Sequence, residues 1–100
     1  MTGYRLSDRA LADLDQLYEH GIHNFGLRQA DGYYDGLIAR FQAIVDNPLQ
    51  WRRVDEVGEG LRRSVFGSHS IYYLIDADDI AIVRILGYQE LGGSFDKAKK

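Results

Sequence analysis

Residues 61–87, LRRSVFGSHSIYYLIDADDIAIVRILG, decide the fold class, because they contain three β-type segments divided by two turn-like separators. The segments are Leu61–Phe66, His69–Ile75 and Ile80–Leu86, and the separators are Gly67-Ser68 and residues 76–79. Separators of this length are typical of β-hairpins. The stretch therefore predicts a three-stranded antiparallel sheet.

The last predicted strand is apolar on both faces, yet it contains a cation. Strict alternation places Ile80, Ile82, Arg84 and Leu86 on one face, and Ala81, Val83 and Ile85 on the other. Arg84 then needs a carboxylate partner, for which the chain offers Asp55, Glu56 and Glu90. Two helices can cover only one face of so small a sheet. We expect a partner protein to cover the second face, or else the end of the chain through Leu91 and Phe95.

Two amphipathic helices precede the sheet. A short strand is predicted at Tyr4–Ser7, followed by a helix with its N-cap at Ser7 or Asp8 and its end near Gly26. The apolar positions of this helix recur at steps of three and four: Leu11, Leu14, Tyr18, Ile22 and Phe25. The second helix carries the stripe Ala30, Tyr33, Tyr34, Leu37, Ile38, Phe41, Ile44 and Val45, and Asn47-Pro48 ends it. A short loop makes the pair an antiparallel hairpin, and the chain an α+β domain.

Composition excludes several classes of function. The chain has 100 residues, a net charge of −3 and no cysteine, which rules out disulfides and thiolate metal sites. An acidic chain is not expected to bind nucleic acid directly. With no apolar run of membrane-spanning length and no signal peptide, we expect a cytoplasmic single domain over residues 1–100, with a flexible basic tail from about Gly92.

Other candidate sites are weak. His20 and His23 have a spacing compatible with a metal, but no third ligand is evident, and we expect neither metal nor cofactor. Tyr72 and Tyr73 must point to opposite faces of their strand. Gly32 and Gly36 lie four apart in the second helix, either tolerated there or allowing another helix to approach closely.

The order strand, helix, helix, strand, strand, strand resembles the ParE toxins of the RelE/ParE toxin–antitoxin superfamily. The resemblance rests on YRLSDRALADLDQLYEHG, GLRQADGYYDGL, the NP stop and GSHSIYYLID followed by IAIVRIL. It implies a bacterial cytoplasmic toxin, neutralised in a hetero-oligomeric complex by a ParD-type antitoxin and poisoning DNA gyrase by binding. Contact with DNA would be indirect, through the antitoxin, and no membrane is involved. A toxin that has lost its gyrase activity and only binds antitoxin is a further possibility.

The alternative is a RelE-like nuclease that cuts messenger RNA on the ribosome. Its candidate residues would be Arg62, Arg63, His69, Arg84 and Tyr88. RelE-type nucleases tend to carry an arginine just after the position of His69, where this chain has Ser70. The resemblance therefore favours a binding toxin without catalytic residues over an enzyme.

Two sets of binding residues are predicted for such a toxin. The candidates for antitoxin binding, where an acidic antitoxin segment could also supply the partner of Arg84, are Gly32, Gly36, Arg63, Tyr73, Ile82, Arg84 and Leu86. The candidates for target binding are Tyr88, Gln89, Lys97, Lys99 and Lys100, in the last strand end and the basic tail.

Overall fold

Two long helices and four strands make up residues 3–87, the part of the chain that the computed structural model describes. The elements are β1 (Tyr4–Leu6), α1 (Asp8–Phe25), α2 (Leu27–Asp46), a 3₁₀ turn (Pro48–Gln50), β2 (Arg62–Phe66), β3 (His69–Asp76) and β4 (Asp79–Gly87). The predicted α+β class and the helical hairpin are confirmed.

The strands form one mixed sheet in the order β1-β4-β3-β2. The predicted antiparallel pairing of β2 with β3 and of β3 with β4 is confirmed. The N-terminal strand adds a fourth member, because β1 pairs in parallel with β4 and places Leu6 beside Ile82. The first and last described strands of the chain are therefore neighbours.

Polar residues at the helix ends join α1 to the sheet. The Ser7 hydroxyl accepts the Ala10 N–H at 3.0 Å, which caps α1, and donates to the Val83 carbonyl at 2.7 Å.

Between the helices, Gly26 adopts φ 91° and donates its N–H to the Ile22 carbonyl at 3.0 Å. A side chain would be strained at this angle, so glycine allows the hairpin to turn within one residue.

The helices cover one face of the sheet, and the main core lies there. It is built from Leu14, Leu37, Phe41, Ile44, Ile71, Tyr73, Ile80, Ile82 and Ile85. Tyr73 is fully buried and donates from its hydroxyl to the Pro48 carbonyl at 2.6 Å. Burial raises the pKa of this phenol to about 12.

The second face is covered by the irregular connector between Trp51 and Leu61. Val54 and Leu61 pack there against Tyr72 and Leu86, and all four are buried. We expected a partner protein or the end of the chain to cover this face. For the buried centre of the face that expectation was wrong, because the connector covers it. Leu91 and Phe95, the residues proposed for that cover, lie outside the described residues.

Local hydrogen bonds fix the shape of the connector. Val54 donates its N–H to the Leu61 carbonyl at 2.7 Å, and Gly60 donates to the Asp55 carboxylate at 2.8 Å. That backbone bond, together with the Arg53 guanidinium, lowers the pKa of Asp55. None of these contacts has a repeating spacing, which is why the sequence pattern does not reveal them.

Candidate functional site

A β-bulge in β4 changes which side chains share a face. Tyr73 lies opposite Ile82 and Tyr72 opposite Arg84, so Val83 is an extra residue between them. Beyond it, Ile85 joins the helix-side core and Leu86 joins the connector-side cluster. The alternation predicted for this strand is therefore wrong after Ile82.

Arg84 is paired with a carboxylate from α1. Its Nε lies 2.8 Å from Asp13 Oδ2 and its Nη2 lies 3.0 Å from Asp13 Oδ1, a bidentate geometry. The Ile85 N–H also donates to Asp13 Oδ2, at 2.9 Å. The side chains of Asp13 and Arg84 are only 9% and 19% exposed, so both charges are largely removed from water.

Asp13 was not among the partners that the sequence suggested for Arg84. Of those, Asp55 pairs with Arg53, Glu56 pairs with Arg52, and Glu90 lies outside the described residues. The signal was present in the first helix, where Asp13 interrupts an apolar stripe formed by Ala10, Leu14 and Leu17. The pair joins α1 to the edge of β4 just beyond the end of β1, so it explains Arg84 without a partner protein.

A cleft of about 800 Å³ opens beside this ion pair. It lies between the second half of α1, the start of α2, the β2–β3 turn and the end of β4. Apolar residues Leu17, Phe25, Ala30 and Ile85 line it together with polar ones, among them His20, Tyr33, Ser68 and His69. Gly87, the last described residue, also lines the cleft. The target-binding candidates begin at the next residue of the sequence, Tyr88.

Tyr33 is the centre of a hydrogen-bond network at the cleft. Its hydroxyl lies 2.7 Å from His69 Nδ1 and 3.0 Å from the Phe66 carbonyl, and it accepts the Ser68 N–H at 3.2 Å. A phenol has one proton, so when Tyr33 donates to the Phe66 carbonyl, its contact with His69 is a hydrogen bond only if Nδ1 carries a hydrogen and donates to Tyr33. A Cβ on Gly67, where φ is +56°, would lie 2.6 Å from the Tyr33 hydroxyl. The network holds the β2–β3 turn against α2.

Comparison with known proteins identifies the family. Residues 4–91 match the family model described as "ParE toxin of type II toxin-antitoxin system, parDE". The chain belongs to the ParE toxin family.

Two curated relatives agree with this assignment. "Toxin ParE1" of Caulobacter vibrioides is 34% identical over 86 residues, which cover 86% of this chain and 88% of that protein. "Toxin ParE1" of Mycobacterium tuberculosis is 31% identical over 84 residues, covering 83% and 86%.

Two solved structures share the fold at low sequence identity. "Chromosomal ParDE TA system from P. aeruginosa" superposes with a TM-score of 0.76 at 20% identity, covering 87% of this chain and 96% of that one. The solution structure of protein HP0894 from Helicobacter pylori gives 0.56 at 14% identity, covering 91% and 99%. These two likenesses show the ParE fold and no more.

The residues that a nuclease would need are dispersed in this ParE toxin. Arg62 donates to the Trp51 carbonyl and lies opposite Tyr73, four residues along β3 from His69 and thus about 13 Å away. Arg63, the next residue of the strand, points to the opposite face. His69 contacts Tyr33, Arg84 is paired with Asp13, and Tyr88 lies outside the described residues. The described candidates do not converge on one phosphate.

The antitoxin-binding candidates fall into buried and accessible groups. Tyr73 and Ile82 are buried under the helices, and Leu86 is buried under the connector. No atom of residues 3–87 lies within 4 Å of a Cβ built on the exposed Gly32, and Arg63 is half-buried. Of these five side-chain positions, only the last two offer surface to a partner. Their role in binding stays a prediction.

Gly36 has an internal reason to be glycine. A Cβ there would lie 2.6 Å from Cζ of Phe66, so the group that approaches the bare helix backbone closely is this ring. Arg40, one turn further along α2, donates to the Ser64 hydroxyl and the Val65 carbonyl, each at 2.8 Å. Its guanidinium stacks 5.3 Å from the Phe66 ring centre and 5.5 Å from that of Trp51. This cluster could not be predicted from the sequence, because its members are far apart along the chain.

Residues 3–87 contain no group of three or more histidine, aspartate or glutamate side chains placed to hold a metal ion. Neither of their long helices is apolar enough over its length to cross a membrane. The target-binding candidates Tyr88, Gln89, Lys97, Lys99 and Lys100 lie outside the described residues.

Proposed function

We propose that this ParE-type toxin acts in the cytoplasm by binding DNA gyrase, without chemistry of its own, and that a ParD-type antitoxin neutralises it. The observation that carries the proposal is the match of residues 4–91 to the ParE family model, with two curated relatives named as ParE toxins. A gyrase poison of this kind needs only a surface that holds the enzyme in its DNA-cleaved state.

The side-chain geometry supports binding over RNA cleavage. A ribonuclease must bring cations and a proton-transfer group to one phosphate. Here Arg84 is neutralised by Asp13, Arg62 is engaged by a carbonyl of the connector, and Ser70 follows His69. Arg63, the remaining described candidate among the arginines, lies on the face of the sheet opposite to His69.

An antitoxin partner is supported by the description of the structural neighbour, a chromosomal ParDE system whose fold this chain shares. Gly32 and Arg63 are the candidates that such a partner could reach without disturbing the core. Arg84 is not needed for this role, since it has a carboxylate within the domain.

The decisive experiment adds the purified full chain to a gyrase supercoiling assay and, separately, to a translating extract. With gyrase, relaxed plasmid and ATP, we expect loss of supercoiling and accumulation of linear DNA. In the extract, messenger RNA should stay intact. Cleavage of messenger RNA at ribosomes, with gyrase unaffected, would reverse the assignment and make His69 and Arg62 the next residues to change.

A variant of the basic tail tests the target-binding residues. Lys97, Lys99 and Lys100 changed together to glutamine should abolish gyrase inhibition while the circular dichroism spectrum and antitoxin binding are retained. The control is Arg9→Gln together with Arg28→Gln, which removes exposed cations of the two helices. Equal inhibition by the tail variant and the unmodified chain would contradict the role of the tail.

Expression in cells tests the antitoxin. The chain alone should arrest growth and induce the DNA-damage response, and co-expression with the neighbouring small reading frame should restore growth and give a complex that purifies together. If that product neither restores growth nor copurifies, the antitoxin part of the proposal fails. Copurification without any toxicity of the free chain would contradict the gyrase part alone.

A further inference from the structure

The outer edge of β2 is one border of the described sheet. In the order β1-β4-β3-β2, this strand has a neighbouring strand on one side only. The N–H and C=O groups along such an edge can pair with another chain. The Arg63 N–H points away from β3, since it donates to the Arg52 carbonyl at 3.2 Å. Alternation along an antiparallel strand then turns the N–H and C=O of Val65 outward as well.

The connector covers the first half of this edge. Besides the bond from Arg63, Arg53 forms an isolated antiparallel bridge with Arg62. Among residues 3–87, this is the only bridge outside the named strands. The second half of the edge, from Ser64 to Phe66, therefore has no strand beside it.

A side chain of α2 covers the second half. Nη1 of Arg40 lies 2.8 Å from the Val65 carbonyl oxygen and 2.8 Å from the Ser64 hydroxyl. The guanidinium also lies against Trp51 and Phe66, whose ring centres are 5.5 Å and 5.3 Å away. A planar cation that stacks on two rings and donates to two oxygens is well fixed in place. Arg40 thus occupies the outward carbonyl at the centre of the uncovered half.

Without the guanidinium, this edge fits a second copy of the same strand. In an antiparallel pair with its two-fold axis at Val65, the two Val65 residues lie opposite each other and exchange two N–H···O=C bonds. Val65 is apolar and 56% exposed, so the two side chains can also pack together. Ser64 lies opposite Phe66 in this register. The pairing needs only the three residues that the connector leaves uncovered, and it leaves the arginines at the start of each strand outside.

We propose that the outer edge of β2 is a surface for self-association and that Arg40 keeps it closed by occupying the Val65 carbonyl. An unrelated peptide strand could form similar backbone bonds. A second copy in addition brings valine against valine, and its two-fold symmetry forms every contact twice. The proposal does not depend on gyrase or on the antitoxin as partners.

The test replaces the guanidinium in the full chain. Arg40→Met keeps an unbranched apolar side chain between the two rings but cannot donate to the carbonyl. In sedimentation equilibrium over a range of concentrations, we expect this variant to dimerise at least about tenfold more tightly than the unmodified chain, since two hydrogen bonds become available in each dimer. The matched control is Arg28→Met, an exposed arginine near the other end of α2, which should leave the association unchanged.

Changes at Val65 locate the surface. Val65→Pro removes the outward N–H and leaves the bonds to β3 in place, so in the Arg40→Met background it should return the chain to the association of the unmodified protein. Val65→Lys should do the same, because it places like charges opposite each other at the two-fold axis. The lysine variant changes an exposed side chain alone, so it keeps the test valid if the proline variant does not fold. Circular dichroism shows which variants are folded.

Four results would overturn the proposal. If folded Arg40→Met dimerises no more tightly than the unmodified chain, the guanidinium does not close the edge. A dimer of Arg40→Met that persists after Val65→Lys would lie on another surface. Self-association of the unmodified chain that Val65→Lys abolishes would show that the edge is open with Arg40 in place. Binding of an unrelated valine-rich strand peptide by Arg40→Met, without self-association, would assign the edge to a different partner.

Discussion

The two faces of the sheet are buried by different means. The helix side is covered by regular elements that pack Leu37 and Phe41 onto the strands, whereas the connector side is covered by an irregular segment that packs Val54 and Leu61 onto Tyr72 and Leu86. Both faces are buried, but long helices cover only the first. We therefore expect the two covers to differ in how firmly they are held, although the side chains beneath them are equally buried.

The largest expected effect compares one buried leucine from each face. Leu37 and Leu86 are both fully buried. Leu37→Ala should lower the free energy of unfolding by about 4–5 kcal/mol, because two helices cannot collapse into the cavity, whereas Leu86→Ala should cost about 2–3 kcal/mol as the connector relaxes. Urea denaturation of both variants measures this. Equal losses would break the comparison.

The ion pair where the two faces meet is the next test. Asp13→Ala leaves Arg84 without its carboxylate and the Ile85 N–H without its acceptor, so stability should fall by about 3 kcal/mol. Asp13→Asn keeps an acceptor and should cost less. Denaturation with both variants checks the order. If the alanine variant lost no more than Asp15→Ala, an exposed control on the same helix, the pair would contribute nothing to the fold.

Two glycines of α2 form a smaller, matched test of the helix side. Gly36→Ala should destabilise by about 2 kcal/mol, because the new methyl group meets the Phe66 ring. The new methyl group of Gly32→Ala has no atom of the described residues within 4 Å, and the change should stabilise the helix by up to about 1 kcal/mol. Thermal unfolding of the two variants shows whether each substitution stabilises or destabilises the fold. A stabilising Gly36→Ala would mean that Phe66 moves freely, and the helix side would then be the looser of the two.

The smallest effect appears only in alkali. The pKa of Tyr73 is about 12 in the fold against an ordinary value of 10.0. Between these two pH values the unfolded chain has lost the phenolic proton and the folded chain keeps it, so stability should fall as pH rises through this window. Denaturation across that range, compared with Tyr73→Phe, isolates the contribution. A pH dependence that survives the substitution would assign it to another group.

Most of the fold could be predicted from the sequence because its elements are periodic. The apolar stripe of α2 predicted the helical hairpin, and the two turn-like separators predicted the antiparallel strands with bounds within one residue or so of the observed ones. Three features could not be predicted in this way. The pairing of β1 with β4 joins residues that are far apart in the chain. The bulge at Val83 shifts the alternation of side chains in β4, and nothing in the residue types of this strand marks it. The connector buries Val54, but its apolar residues have no periodic spacing.

For the candidate site, the sequence indicated residue types better than their partners. An arginine in an apolar strand and an aspartate in an apolar helix stripe were both visible, and pairing them needed only the recognition that each is costly to bury alone. Tyr33 and His69 were both noted, yet their contact depends on how α2 crosses the sheet. The tail candidates lie outside the described residues, and their role rests on the gyrase experiment.

The parallel pairing of β1 with β4 has a consequence for synthesis in the cell. On the ribosome, Tyr4–Leu6 is made long before Asp79–Gly87. Until β4 emerges, β1 has no strand to pair with, and Asp13 on the newly formed first helix has neither Arg84 nor the Ile85 N–H to bind. The four-stranded sheet can therefore close only after β4 has been made, and a nascent chain that stops before β4 cannot pair β1.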